Sequence, residues 1–317
     1  MKIVFAGTPA NAATTLTALI ANPMVEVMAV LTRQDAAVGR KKVMTSSPVA
    51  QIAEAAGITT IKANKINEDV IEQLLKVQAE LGVVVAFGSL FDDRALKLFK
   101  KGWLNVHYSL LPDWRGAAPV QNALIAGDKV TGVTLFKLDA GMDTGAMYSQ
   151  VPTVIEPDET AADLLARLTG LGISALNEVL PAIASDIATL KQQLETDSAR
   201  IAHKPTRESS RINFSRSAVQ IENLVRGSNP EPMAWAELKD EPFRILEARA
   251  ATGSNTVNDS ELQKSNGQVW SDSSRILVQC AEGTVLELRV VQPASKKPMA
   301  ATDWFRGLNE PERVTFK

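Results

Sequence analysis

Met1–Thr32, MKIVFAGTPANAATTLTALIANPMVEVMAVLT, decides the fold. Lys2–Ala6 is an apolar run without alternation, the mark of a strand covered on both faces. Gly7-Thr8-Pro9 interrupts it, a helical stretch continues to about Ala21, and Val25–Leu31 repeats the apolar run. Strand, helix and strand within about thirty residues make a βαβ unit, whose two strands lie parallel.

The same rhythm continues outward. Ser47-Pro48 supplies an N-cap and a proline at the first helical position for a helix to about Ala56, closed by Gly57. A strand over Thr59–Lys62, a helix over Glu68–Ala79, an apolar run over Val83–Phe87 and a strand over Trp103–His107 follow. A helix opens at Pro119, Gly132–Leu138 and Ala146–Ile155 read as strands, and helical segments run from Thr160 to about Leu190. These elements predict an α/β fold, a Rossmann-like, mostly parallel sheet with helices on both faces, where ligands bind beyond the carboxyl ends of the strands. After the polar stretch Glu195–Ser210 the pattern changes. Arg244–Ala250, Gly267–Trp270, Ile276–Gln279 and Val285–Val291 are short β-like runs separated by turn residues, predicting a small C-terminal all-β barrel, OB-like in size. The expected division is a catalytic domain over 1–190, a linker over 191–207 and the barrel over 208–317.

Composition agrees with two globular domains: 317 residues, 45% hydrophobic and 22% charged. Net charge is −2, and neither side of Pro205 is basic overall, so a nucleic-acid partner cannot rest on bulk charge and needs local clusters. The single cysteine, Cys280, excludes an internal disulfide. The opening apolar run is shorter than the roughly 7–15 residues of a signal-peptide core. No apolar segment approaches the ~20 residues that span a bilayer. A cytoplasmic protein is expected.

The chemistry concentrates in Leu104–Pro119, LNVHYSLLPDWRGAAP, which holds one of only two histidines, His107 and His203. The two-residue period of a strand puts Asn105 and His107 on one face, where both can donate to an oxyanion developing on an attacked carbonyl. The plain alternative is a satisfied polar pair at a sheet edge. Asp143, in the loop Gly141-Met142-Asp143-Thr144-Gly145, could orient and charge the imidazole, or take a proton from an attacking amine. Its plain alternative is a turn aspartate. Asp143-Thr144-Gly145 also matches the aspartic-protease signature, but the chain has no second copy to supply the paired carboxylate. Gly-x-Gly-x-x-Gly, a serine elbow and a zincin histidine pair are all absent, so no metal is expected. Direct group transfer to a bound nucleophile remains.

Here the residues meet a family. LNVHYSLLPDWRGAAPVQNALIAGD (104–128) and TGVTLFKLDAGMDTGAM (131–147) resemble the methionyl-tRNA formyltransferases. MKIVFAGTP (1–9), VVVAFG (83–88) and QPASKKPM (292–299) agree with that family in order, so the resemblance spans nearly the whole chain. The Asn-x-His plus Asp set alone is shared by formyltransferases that act on a purine precursor or on amino sugars. SLLPDWRGAAP, NPEPMAW (229–235) and QPASKKPM narrow the likeness to the transfer RNA enzymes.

The resemblance implies that Asn105, His107 and Asp143 are catalytic, with Asp143 keeping His107 charged. It implies that Ser109, Leu110, Leu111 and Pro112 form a folate-contacting turn, and that Val85, Ala86, Phe87 and Gly88 line a pterin pocket, largely through backbone groups. The implied co-substrate is 10-formyltetrahydrofolate and the partner is initiator methionyl-tRNA, in bacterial translation initiation, with no membrane and a monomeric protein. Arg33, Arg40, Lys41 and Lys42 surround the loop that reaches the acceptor stem in the family, and Lys296 and Lys297 are implied contacts to the RNA backbone. Three departures stand out: RQDAAVGRKK (33–42) is poor in proline, Phe87 replaces a common tyrosine, and Glu231 a common aromatic.

Overall fold

The computed structural model describes residues 1–39, 42–194, 199–251, 264–272 and 274–317. The chain forms two compact units. One comprises Met1–Pro119, Val130–Val154 and Leu165–Ala202; the other comprises Val120–Lys129, Ile155–Leu164 and His203–Lys317.

In chain order the elements are β1 (Lys2–Gly7), α1 (Ala10–Ile20), β2 (Glu26–Thr32), β3 (Ala36–Val38), β4 (Val43–Thr45), α2 (Pro48–Ala55), β5 (Thr59–Lys62), α3 (Glu68–Lys76), β6 (Leu81–Val85), α4 (Asp93–Leu96), β7 (Trp103–His107), β8 (Arg115–Gly116), α5 (Pro119–Ala126), β9 (Val130–Lys137), β10 (Met147–Val154), α6 (Ala161–Ala184) and β11 (Ile201–Ala202). There follow α7 (Ala218–Ser228), β12 (Trp235–Leu238), β13 (Glu241–Ala250), β14 (Val269–Asp272), β15 (Arg275–Gln279), β16 (Val285–Gln292), β17 (Met299–Ala300) and α8 (Ala301–Arg306).

The first unit is built on a sheet in the order β10-β9-β7-β6-β1-β2-β5. The five strands from β7 to β5 pair in parallel, whereas β9 and β10 are antiparallel additions at one edge. Successive strands pass from β1 outward to β5, and the chain then returns to the other side of β1 for β6 and β7. That reversal opens a crevice beyond the carboxyl ends of β1 and β6. Burial explains the apolar runs: Ile3 to Ala6 and Leu81 to Val85 are buried throughout. Trp103 lies so close over Gly82 that a Cβ there would meet its ring at 1.9 Å, so this packing needs glycine.

Helix starts follow their caps. Ser47 Oγ accepts from the Ala50 amide at 3.0 Å and Asn67 Oδ1 from the Val70 amide at 3.1 Å, each satisfying one orphan donor of the first turn. Helix α6 stops at Ala184, short of the expected Leu190. Its end is set by a distant side chain: Lys101 Nζ donates to the Ile183 carbonyl at 2.8 Å and also bonds Asp186, which sits at φ +57°.

The second unit carries an antiparallel sheet in the order β12-β13-β16-β15-β14, with β17 on β16, forming a curled half-barrel. Its core stacks Phe214 on Phe316 at 5.5 Å and tilts Phe243 against Trp304 at 4.7 Å. Helices α7 and α8 accompany the sheet, which a strand-only reading of the region does not anticipate. Cys280 is 1% exposed there, and burial pushes its thiol up to about 12, so it packs as a small apolar residue.

Candidate active site

The last turn of β7 delivers Asn105 and His107 to one face of the sheet. Their neighbours treat them differently. His107 is buried, and its Nε2 faces the Trp114 carbonyl oxygen at 2.8 Å. A carbonyl only accepts, so Nε2 carries the proton and, in the neutral ring, Nδ1 is the bare nitrogen. Asn105 is partly exposed, and its carboxamide has no hydrogen-bond partner among the described residues.

Nδ1 of His107 looks toward Asp143 Oδ2 at 3.8 Å, too far for a hydrogen bond and close enough for a strong Coulombic influence. That carboxylate oxygen accepts from the Gly116 amide at 2.8 Å. Burial lowers the imidazole below its ordinary value, while Asp143 and the bond to Trp114 pull the other way without overcoming it. Asp143 acts in the expected direction, toward the charged ring, and burial acts against it. Removal of the ring from water dominates, and the resting imidazole near neutral pH is uncharged.

The backbone around the pair is unusual. Trp114, Gly116 and Asp143 have φ of +62°, +118° and +54°. For the two non-glycine residues this conformation costs about 1 kcal/mol or more each, and such costs persist where the surroundings enforce them. Enforcement is visible. Trp114 N donates to the Arg200 carbonyl at 2.8 Å, the Arg200 guanidinium lies 4.2 Å over the Trp114 ring, and it also bonds Asp113 at 2.9 Å. At Gly116 a Cβ would meet the Ala202 carbonyl oxygen at 2.9 Å.

The turn Ser109 to Pro112 is held from β9 and β10. Thr134 Oγ1 donates to the Ser109 carbonyl at 2.7 Å and accepts from the Leu111 amide at 3.1 Å, while Gln150 Nε2 donates to the Leu111 carbonyl at 2.7 Å. Ser109 Oγ closes the turn on the Asp113 carbonyl at 2.6 Å, so its hydroxyl proton is committed. Leu110 lies against Gly132, and the Leu111–Pro112 bond is cis.

The segment Val85 to Gly88 leaves β6 at the crevice with Ala86 at φ +47° and Gly88 at φ +77°. Phe87 turns its ring into the core, where it is 2% exposed, so only main chain there can meet a ligand. Thr8 Oγ1 donates to the Phe87 carbonyl at 3.2 Å, and Arg33 donates to the Gly88 carbonyl. Arg33 thus stands beside this loop. Lys42 is exposed at the end of the β3–β4 turn at φ +49°, and Arg40 and Lys41 lie outside the described residues. Lys296 and Lys297 are exposed in the turn after β16, in the second unit.

Gln193, Thr134 and Gln150 are the site residues that sequence reasoning misses. Thr134 had a readable signal, since it pairs with His107 across β7 and β9; Gln193 sits in a polar stretch without periodicity. Among the described residues no group of three or more His, Cys, Asp or Glu could hold a metal ion, and no helix is long and apolar enough to cross a membrane.

A buried imidazole beside a carboxylate, with a free carboxamide on the same strand, is the apparatus of an acyl-type group transferase. The family comparisons agree. Residues 1–180 match the family described as formyl transferase, and residues 204–309 match the formyl transferase C-terminal domain. A methionyl-tRNA formyltransferase of Renibacterium salmoninarum is 40% identical over 100% of this chain and 99% of its own length. One from Leifsonia xyli is 43% identical over 97% of each. The chain belongs to the formyl transferase family, among the methionyl-tRNA formyltransferases.

Solved structures share the fold. An N-formyltransferase from Helicobacter canadensis, in complex with folinic acid and dTDP-3-aminofucose, superposes with a TM-score of 0.66 at 18% identity, over 92% of this chain and 99% of that one. A phosphoribosylglycinamide formyltransferase from Bacillus halodurans gives 0.51 at 22% identity, over 58% of this chain and 96% of its own.

Proposed function

We propose that this chain transfers the formyl group of 10-formyltetrahydrofolate to the amino group of methionine on initiator methionyl-tRNA. The observation that carries the reading is the state of His107. Its Nε2 proton is committed to the Trp114 carbonyl, leaving a bare Nδ1 beside Asp143. Full-length identity to proteins named for this reaction supports it. The free Asn105 carboxamide and the main chain of 85–88 at the β6 end fit the polar edge of a reduced pterin, which supplies an activated formyl carbon.

Asn105 then donates to the formyl oxygen as negative charge develops there. Neutral His107 accepts the amine proton at Nδ1 as the new carbon–nitrogen bond forms. The Asp143 carboxylate favours the imidazolium so produced. As the bond from the formyl carbon to its old nitrogen breaks, that nitrogen takes up the proton held on the His107 imidazolium, which returns the ring to its neutral state and balances the charges. Arg33, Arg40, Lys41 and Lys42, with Lys296 and Lys297, are the cations proposed to meet RNA phosphates, in the cytoplasm where initiation takes place.

The test supplies 10-formyltetrahydrofolate with either methionyl initiator tRNA or a nucleotide-linked amino sugar. Formylmethionine on the RNA is the expected product. Formylation of the sugar alone overturns the reading.

A further inference from the structure

The stretch after α6 runs back past the catalytic pair. Lys191 and Met147 exchange backbone hydrogen bonds at 2.8 and 2.9 Å, which seats the next residues beside the Asp143 loop. Gln193 is 9% exposed and both ends of its amide are used. Nε2 donates to the carbonyls of Asp143 at 2.8 Å and Gly145 at 2.9 Å. Oε1 accepts from Arg115 Nε at 3.1 Å and Nη2 at 2.6 Å. The residue after Arg115, Gly116, donates its amide to the Asp143 carboxylate.

Gln193 therefore joins the two stretches that fix Asp143: the loop on which it rides and the segment that binds its carboxylate. Asp143 is held at φ +54°, away from the ordinary well, and the Gln193 bond to its own carbonyl opposes relaxation. A buried primary amide suits the task because it donates twice and accepts twice. A carboxylate can only accept, and would set negative charge against two carbonyl oxygens.

We infer that Gln193 is a positioning residue for the formyl transfer, holding Asp143 at its working distance from His107 while touching neither substrate. The inference rests on the proposed roles of His107 and Asp143. Asp143 is the charged group that acts on the imidazole; Arg115 bonds Gln193, and Asp139 bonds Thr144 on the same loop.

The test compares Gln193→Glu, Gln193→Ala and Asp143→Asn in the full-length protein, by kinetics and by imidazole nuclear magnetic resonance. Gln193→Glu keeps the acceptor for Arg115, loses the donors to the Asp143 loop and adds a negative charge, so the imidazole titration is read on the uncharged Gln193→Ala. The expected result is a fall of about a hundredfold in kcat for both Gln193 variants, the scale of an ångström-sized misplacement, with KM for both substrates within about threefold. In Gln193→Ala the His107 midpoint should move down, toward that of Asp143→Asn. If both Gln193 variants retain full kcat and Gln193→Ala leaves the His107 midpoint unmoved while Asp143→Asn loses activity, the inference is overturned and the site reading stands. If Asp143→Asn itself keeps full kcat, the site reading fails. Gln193→Ala serves should the glutamate variant fail to fold.

Discussion

His107 donates from Nε2 to the carbonyl oxygen of Trp114 at 2.8 Å, across a turn in which Trp114 stands at φ +62°. That one bond selects the tautomer. It turns Nδ1 toward Asp143, and it makes the imidazole a base in waiting instead of a resident cation. Burial of the ring dominates its titration, and the carboxylate contributes most when a proton arrives.

The titration of His107 is directly observable, because the chain has only two histidines. Its midpoint is expected below about 6.5, the ordinary value. Asp143→Asn removes an upward influence, so the midpoint should fall further. A group whose folded pKa is depressed below its unfolded value binds fewer protons when folded. Its contribution to stability is therefore complete above about pH 6.5 and is lost as pH falls from there toward the folded value. Denaturant titrations of the wild type and His107→Gln between these limits should diverge on acidification. A His107 midpoint above that of a free imidazole refutes the uncharged resting state.

Asn105→Ala separates catalysis from folding. The carboxamide has no partner among the described residues, so its loss should leave the melting temperature within about 1 °C. Removal of one donor from a developing oxyanion lowers kcat by about 10²–10³. A variant that loses stability and keeps its turnover number would show Asn105 to be structural.

The legible parts of this protein are those with a short period or a local signal. Asn105 and His107 are two residues apart on a strand, and both the βαβ rhythm and the Ser47-Pro48 helix start lie in adjacent residues. The rest depends on contacts remote in sequence. Gln193 meets Asp143 across 50 positions, and Lys101 ends α6 from 82 positions away, so neither has a local mark. Helix α7 differs, since its capping box of Ser217 and Gln220 is written in the sequence and only the surrounding β-like runs obscure it.

Lys101→Met tests the end of α6. The Lys101 side chain is 7% exposed, and its ammonium serves a carbonyl at the negative end of the helix. Methionine keeps most of the stem and removes the charge-assisted bonds, so a loss of about 1–3 kcal/mol is expected. For a unit of this size that amounts to roughly 2–10 °C in melting temperature. Unchanged stability in urea would mean that the last carbonyls of α6 find water equally well.

Lys62→Met tests the hairpin β3–β4. Lys62 Nζ binds Asp35 at 3.0 Å before the hairpin and Ser46 Oγ at 3.1 Å after it, with Glu54 of α2 at 3.0 Å. It gathers both feet of the segment that carries the proposed RNA-facing cations. Beneath it, the buried bond between Thr32 and Ser47 hydroxyls, 2.7 Å long, holds the same two chain ends. Losing Lys62 should therefore leave the hairpin attached but less well aimed. Partly exposed ion pairs contribute up to about 1 kcal/mol, so KM for methionyl-tRNA should rise roughly fivefold, with kcat and the folate KM unchanged. Lys62→Arg, which can still reach the two carboxylates, should recover most of the loss. A parallel rise in the folate KM would instead tie Lys62 to the crevice, and an unaltered KM for the RNA would remove the hairpin's alignment from the account of RNA binding.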